Sequence, residues 1–493
     1  MLTRLKVTGF KNLIDVDVRF GPFTCIAGAN GVGKSNLLDA ISFLSALADL
    51  TLAEAALSVR DAGRSGDIRS LFHRTGDHYD SEMSLEAEMI VPKQGLDDLG
   101  QTAEAAITFL RYSVALGYRD SDGSGPLGGL ELLREELSHI KIGDAPGELA
   151  FKHSSRWRNS VVIGRRGAHF ISTDGTGDGR KIKVHQDSHG QGRPRELSAS
   201  TLPRTALSVA TAAESPTATL ARLEMRSWRL LRLEPSSLRE PDPFTAPAHL
   251  QANGAHLPAT LYRLAKQNGA ASEEQKAAHR EQIYCQAANK LSELIDDVKD
   301  VRIDHDEKRE ILTLIVTGRD GTSYPARALS DGTLRFLALT VLELDPEFSG
   351  LVCLEEPENG IHPKRIPAML DLLQDLVTDT DEPVGPSNPL RQVIVNTHSP
   401  AVVSQVLEES LLSAELTETV RDGRRFKHLV FRCLPGTWRE KFCPLIMLGK
   451  LIEYLNPIES PDKPVFGRQD ELSPKLRGRR VADRPDLNYE LFG

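Results

Sequence analysis

Four short stretches carry side chains whose types and spacing suit phosphate chemistry. The first is Gly28-Ala-Asn30-Gly31-Val-Gly33-Lys34-Ser35, a P-loop spacing. Phosphate oxygens need several donors converging at close range, and a glycine-rich backbone lets consecutive N–H groups approach with no Cβ in the way. Lys34 supplies a point charge and Ser35 a hydroxyl ligand for Mg²⁺. The second stretch, Leu351-Val-Cys-Leu-Glu355-Glu356-Pro-Glu358-Asn-Gly-Ile-His362-Pro363, sets two adjacent carboxylates after four apolar residues. In a P-loop enzyme one such carboxylate holds the metal, here Glu355, and the other orients the attacking water, here Glu356. The third, Leu329-Ser330-Asp331-Gly332-Thr333, is a helix N-cap whose free N–H groups form an anion site. The fourth, Val393-Ile-Val-Asn396-Thr397-His398-Ser399-Pro400, ends an apolar run in a polar cluster. Taken singly, these are a tight turn, a solvated acid pair, a cap and a structural histidine. Sharing one chain, they favour function.

These groups need elements to position them. Phe23–Ala27 reads as a buried strand, and Leu37, Leu38, Ile41, Leu44 and Leu47 recur at helical spacing, so the loop sits between strand and helix. Upstream, Leu5, Val7, Leu13, Val16, Val18 and Phe20 are spaced like half-buried strands, punctuated by Gly9 and Gly21-Pro22. Apolar runs at 83–91, 107–116, 127–137 and 161–171 predict strands and short helices, interrupted by loops such as 121–129 and 173–179. The stretch 185–200 reads as an exposed loop. Residues 268–294 read as a helix, and 301–303 with 311–316 as paired strands before a turn at 318–321.

Composition narrows the class. The 493 residues carry a net charge of −9, so nucleic acid is not held by bulk charge and would need a local basic patch. Five cysteines without CxxC spacing argue for a reducing cytoplasm and against a disulfide scaffold or zinc ribbon. No secretory signal, membrane span, fixed repeat or sustained heptad is expected. Arg222, Arg226 and Arg229, at i, i+4 and i+7 with Trp228 close by, read as one helix face, either solvated or meeting nucleic acid or a partner. Lys475-Leu-Arg477-Gly-Arg479-Arg480 allows the same readings. His185 and His189 are spaced like helical metal ligands, but their glycine-rich setting favours a loop and argues against zinc.

Together, Phe23–Asn36, Leu329–Leu339, Leu351–Pro363 and Ile394–Pro400 resemble the Walker A, signature, Walker B and H-loop segments of the ABC-type ATPase heads of SMC and OLD-like proteins. The chain is most similar to the prokaryotic AAA-21/AAA-15 ATPases of that class, and Gly9-Phe10-Lys11-Asn12 and Leu233-Glu-Pro235 with Asn253-Gly254 strengthen the resemblance. It implies an α/β fold: an ABC-type P-loop head of mixed sheet and flanking helices, with an antiparallel β lobe, a compact α/β insertion and no long coiled coil. The implied boundaries are 1–92 for the first half of the head, 93–255 for the insertion and β lobe, 256–300 for a helical connector, 301–440 for the second half and 441–493 for a tail.

The resemblance also implies roles. ATP would be held by Gly28, Asn30, Gly31, Gly33, Lys34, Ser35 and Asn36, with Ser330, Asp331 and Gly332 meeting the nucleotide of a second subunit. Glu356, His398 and Lys34 would be catalytic, and Ser35 and Glu355 would bind Mg²⁺. Glu355 stands where transporters carry Asp and His362 where a D-loop Asp is expected, which leaves metal geometry and cross-dimer signalling open; no Q-loop glutamine is placed, since Gln94 and Gln101 fall in the right stretch of sequence without a supporting motif. OLD nucleases add a TOPRIM domain after the His motif. No Asp-x-Asp follows Pro400 and 427–432 lacks the glutamate, so no such nuclease is expected. The expected protein is a cytoplasmic Mg²⁺-dependent ATPase acting as a homodimer or higher even-numbered oligomer. Its setting would be anti-phage defence or DNA maintenance, with a separate nuclease or toxin as effector, DNA or RNA as an open partner and no membrane. The alternatives are an ATP-dependent regulatory scaffold with negligible turnover and a DNA-end-binding repair ATPase.

Overall fold

The computed structural model describes residues 1–60, 66–119, 129–165, 169–187, 193–266, 272–421, 423–455 and 478–487. The chain divides into two units, the first comprising Met1–Arg229, Thr378–Gln392 and Glu409–Ile446. Its antiparallel sheet runs, by residue range, in the order Arg195–Ser198, Lys181–Val184, Ile171–Asp174, Gly129–His139, Phe109–Arg119, Glu82–Ile90, Leu2–Thr8, Val16–Arg19. Period-two alternation sets the register: Leu5, Val7, Val16 and Val18 are buried while Lys6 and Asp17 face water. Leu5 accordingly lies opposite both Val18 and Ala87. A core of Phe109, Ile140, Leu149, Phe151 and Trp157 packs beneath this sheet. Phe23–Ala27 is buried along its whole length and pairs in parallel with Leu411–Arg421, Cys25 opposite Leu411 and Ala27 opposite Ser413. A strand buried on both faces reads as a continuous apolar run, the pattern seen before the P-loop.

Two expectations are corrected in this unit. The helix Pro216–Arg226 ends before Arg229, which lies in the strand Arg229–Leu231, so the three arginines share no helix face. Arg222 is buried and donates to Ala48 O, Ala210 O and Asp98, while Arg226 pairs with Asp98 at 2.7 Å and Asp49 at 3.3 Å. Arg222 is consumed inside the fold, whereas Arg226 is partly exposed and held in an ion pair at the surface. Within 185–200, Arg195–Ser198 is a strand, added at the sheet edge by pairing with Lys181–Val184. His185 follows that partner strand, with Nε2 2.9 Å from Ser172 Oγ, while His189, most of 121–129 and the basic residues 475–477 lie outside the described residues.

A buried acid gives this unit a pH dependence. Glu135 accepts from Ala206 N at 2.7 Å and from Leu207 N at 2.8 Å, and lies 3.1 Å from Tyr112 Oη. Burial pushes its carboxyl up to about 7, against the pull of those donors. The native state therefore keeps a proton that the unfolded chain releases near 4.5, and stability falls as pH rises from there through about 7. Glu135→Gln, which leaves one N–H without an acceptor, should cost about 1–3 kcal/mol at acid pH and remove the slope. Thermal melts between pH 5 and 8 read both effects.

The second unit comprises Leu230–Val377, Val393–Glu408 and Met447–Gly493. Gly350–Glu355 lies between Arg229–Leu231 and Arg391–Thr397, and its first five residues are buried. A separate antiparallel sheet pairs Val298–Asp306 with Ile311–Gly318, which also takes Asp242–Pro243 and Ser323–Pro325. The helix Glu273–Leu294 starts at a capping box of Ser272 and Gln275. Asp331–Leu344, with ten buried residues, and Ile366–Asp375 supply further helical faces. Among the described residues no helix is long and apolar enough to cross a membrane.

Candidate functional site

The P-loop belongs to the first unit. The helix Lys34–Leu47 begins directly after Gly33, and Gly31 and Gly33 take φ of 79° and 98°, which only glycine adopts without strain. A Cβ on Gly33 would come within 2.2 Å of Asn12 Nδ2. Asn12 clasps the loop from outside: its Nδ2 donates to Val32 O at 3.0 Å and its Oδ1 accepts from Asn36 Nδ2 at 2.7 Å. Beside it Lys11 forms a buried 2.9 Å ion pair with Asp39 of the same helix. Arg60 reaches that Asp39 at 2.9 Å and donates to Ser35 O at 3.3 Å. Lys34 Nζ donates to Gly28 O at 2.7 Å and Ala29 O at 2.9 Å, while Ala29, Asn30 and Gly31 are exposed. The loop thus combines a preformed backbone cradle, an ammonium group and the positive end of a fourteen-residue helix.

The carboxylates, the histidine and the signature stretch belong to the second unit. Glu355 ends its strand and accepts from Asn396 Nδ2 at 3.4 Å. Glu356 then turns with φ of 47°, and its N–H donates to Asn396 O at 2.9 Å. That strained turn leaves the Glu356 carboxylate with Oε1 2.7 Å from His398 Nδ1 and Oε2 accepting from Asn359 Nδ2 at 2.8 Å. Glu358, the third acid, is buried; Thr397 Oγ1 donates to its Oε1 at 2.5 Å, and its Oε2 has no hydrogen-bond partner among the described residues. Burial pushes the Glu358 carboxyl above its ordinary range, against the Thr397 hydrogen bond. His362 is exposed and caps a turn, with Nδ1 accepting from Lys364 N at 3.2 Å.

Ser330 caps the helix Asp331–Leu344, with Oγ accepting from Thr333 N at 3.2 Å. Ser330 and Asp331 are exposed, and Arg239 Nη2 donates to Asp331 Oδ1 at 2.5 Å. Gly332 is buried against the Walker B turn, where a Cβ would stand 2.2 Å from Gly360 O. Gln94 and Gln101 lie at exposed positions of the first unit, Gln94 in the short strand Gln94–Leu96.

The donor set suits a nucleoside triphosphate and Mg²⁺. A Cβ at Gly31 would meet nothing within 4 Å, which keeps the loop mouth open, and Ser35, in the first turn of the helix, offers a hard oxygen of the kind Mg²⁺ prefers. Among the described residues no group of three or more His, Cys, Asp or Glu could hold a metal by itself. A P-loop Mg²⁺ needs none, because phosphate and water supply most of its ligands.

Asn12, Asn359 and Glu358 take part in these networks without being singled out for chemistry by the sequence motifs. For Asn12 a signal existed, its place in Gly9-Phe10-Lys11-Asn12. For Asn359 the signal was its position three residues after Glu356 on a glycine turn.

The model of the family described as "AAA domain, putative AbiEii toxin, Type IV TA system" matches residues 23–124 and 94–404. A DNA replication and repair protein RecF of Phocaeicola vulgatus is 36% identical over 73 residues, 15% of this chain and 20% of that protein. RecF of Porphyromonas gingivalis W83 is 46% identical over 46 residues, 9% and 13% of the two chains. An OLD nuclease of Thermus scotoductus is 43% identical over 60 residues, 12% and 10%. The chain therefore spans a fifth or less of the length of these relatives. Among solved structures, an Smc head bound to the C-winged helix domain of ScpA aligns with a TM-score of 0.44 at 14% identity, covering 88% of this chain and 98% of that one. An SMC head domain from Thermotoga maritima gives 0.34 at 12% identity, covering 87% and 98%.

Proposed function

This chain belongs to the AAA-domain family whose model spans its residues from 23 to 404, and from that premise we propose that it is an ATP-hydrolysing ABC-type ATPase worked by nucleotide-dependent head-to-tail dimerisation. It is an AAA-type ATPase related to RecF. The observation that carries the proposal is the 2.7 Å pair of Glu356 Oε1 and His398 Nδ1 behind a strand of buried residues. An anion held against an imidazole at a strand end is placed to accept a proton.

In the proposed reaction the N–H groups of Gly31, Gly33 and Lys34 and the Lys34 ammonium bind the phosphates. Glu356 accepts a proton from the attacking water as the new P–O bond forms and the bond to the ADP oxygen breaks. His398 steadies the Glu356 carboxylate through its Nδ1–H and, when the ring is doubly protonated, would offer its Nε2–H to the charge developing on the γ-phosphate. Bound Mg²⁺, held by Ser35 and Glu355, would neutralise charge on the β- and γ-phosphates. Ser330, exposed at its helix start, is available to a nucleotide on a second copy of the chain.

Its setting would be a sensor or motor in prokaryotic defence or DNA maintenance, with a separate nuclease or toxin as effector. The family description and the partial likeness to RecF and the OLD nuclease support this reading. The test is phosphate release by the full chain in Mg²⁺ and in EDTA. Turnover in Mg²⁺ and none in EDTA is expected. Tight ATP binding without turnover in either buffer would overturn hydrolysis and leave an ATP-dependent scaffold.

A further inference from the structure

The signature helix and the Walker B turn are joined by contacts that neither motif's usual role requires. Arg335, one turn into the helix Asp331–Leu344, donates from Nη1 to Asn359 O at 2.9 Å and from Nε to Leu233 O at 3.2 Å. Asn359 in turn donates from Nδ2 to Glu356 Oε2 at 2.8 Å. Its own N–H donates to Glu356 O at 3.0 Å, closing a tight turn at the residue with φ of 47°. Next along the turn, Gly360 O presses on Gly332, leaving no room for a Cβ. A rigid run of backbone and hydrogen bonds therefore extends from the exposed Ser330 end to one oxygen of Glu356, while His398 holds the other.

We propose that Asn359 is a positioning residue for Glu356 and that Arg335 ties it to the signature helix. The proposal rests on the reading of Glu356 as the water-orienting base. A free glutamate has three side-chain torsions to settle. With one oxygen held by His398 and the other by Asn359, the carboxylate plane is fixed before water arrives, and preorganisation of this kind is a large share of catalytic advantage. Arg335 sets the Asn359 backbone and hence the direction of its amide. Any shift of the signature end, such as a second copy's nucleotide docking on Ser330, would reach Glu356 through this path.

The test compares Asn359→Ala, Asn359→Asp and Arg335→Lys with the unmodified full chain, using ATP turnover across substrate concentration. Asn359→Ala should lower kcat about tenfold while KM for ATP moves less than about twofold, because the contact orients a catalytic group without touching the phosphates. Asn359→Asp has the same shape but no N–H to offer, so it should fall at least as far; it reads the proposal even if the alanine variant folds poorly. Arg335→Lys, able to reach one carbonyl where arginine reaches two, should fall between. A wild-type kcat in Asn359→Asp, or a loss expressed in KM, overturns the proposal. A Glu356→Gln control separates the two ideas: if it turns over normally the reading of Glu356 as the base has failed, and if it is inactive while the Asn359 variants are normal only the positioning role has failed.

Discussion

Replacing Glu356 by Gln is expected to lower ATP turnover by about 100-fold or more, the usual range for removing a general base. ATP binding should survive, because the loop Gly28–Ser35 and its clasp by Asn12 are untouched. Glutamine keeps the length and one oxygen acceptor of the native side chain, so the turn at φ 47° and the Asn359 contact can persist. What is lost is the anion facing His398 Nδ1 and the capacity to take a proton from water. On the proposed mechanism, a nucleotide that binds and is not cleaved should hold two chains together as a closed head-to-tail dimer. The protein should then run at the mass of two chains by light scattering in ATP and Mg²⁺, and as a smaller species without nucleotide. Unchanged turnover would remove Glu356 from the base role. Lost turnover with no change of mass would keep the chemistry and reject dimerisation as its partner event.

The parts legible in the sequence are those set by near neighbours. Phe23–Ala27 declares itself by five apolar or small residues in a row, and Lys34–Leu47 by the spacing of Leu37, Leu38, Ile41 and Leu44. The hairpin Val298–Asp306 with Ile311–Gly318 shows in its alternation and its intervening charged turn. Long-range pairing is what hid the rest. Arg222 and Arg226 look like a helix face by spacing alone, and only the approach of Asp98, more than a hundred residues away, shows that both are paired within the chain, with Arg222 buried. Arg195–Ser198 has little apolar character, and it is a strand because an edge was open to receive it. The clasp of Asn12 on the P-loop also depends on backbone brought together from distant sequence. The site shows the same division: the groups proposed to react lie in motifs the sequence displays, whereas the groups that contact them, such as Asn359 and Asn12, depend on packing.

The clearest case of packing bearing on the proposed function is Gly332, and Gly332→Ala is the second variant with a large expected effect. Helical propensity alone would favour alanine by about 1 kcal/mol. The structure opposes it, since the new Cβ would stand 2.2 Å from Gly360 O and 2.7 Å from the Gly360 carbonyl carbon. Both neighbours are backbone, so no rotamer relieves the clash, and the turn itself must move. Overpacking of this kind costs about 1–3 kcal/mol, so after the propensity gain about 0–2 kcal/mol of destabilisation is left, and the melting temperature should drop by only a few degrees. Turnover should fall far more, by about 100-fold, because the displaced segment carries Asn359 and lies three residues from Glu356, and misplacement by about 1 Å is enough for such a loss. If Gly332 matters only as an open approach for a second copy's phosphate, Gly332→Ala should weaken ATP-driven dimerisation in proportion to turnover. If the contact with Gly360 is what counts, dimerisation in the Glu356→Gln background should survive while turnover in the Glu356 background is lost. Near-native turnover in Gly332→Ala would show that the turn moves freely, and the rigid connection from Ser330 to Glu356 would have to be abandoned.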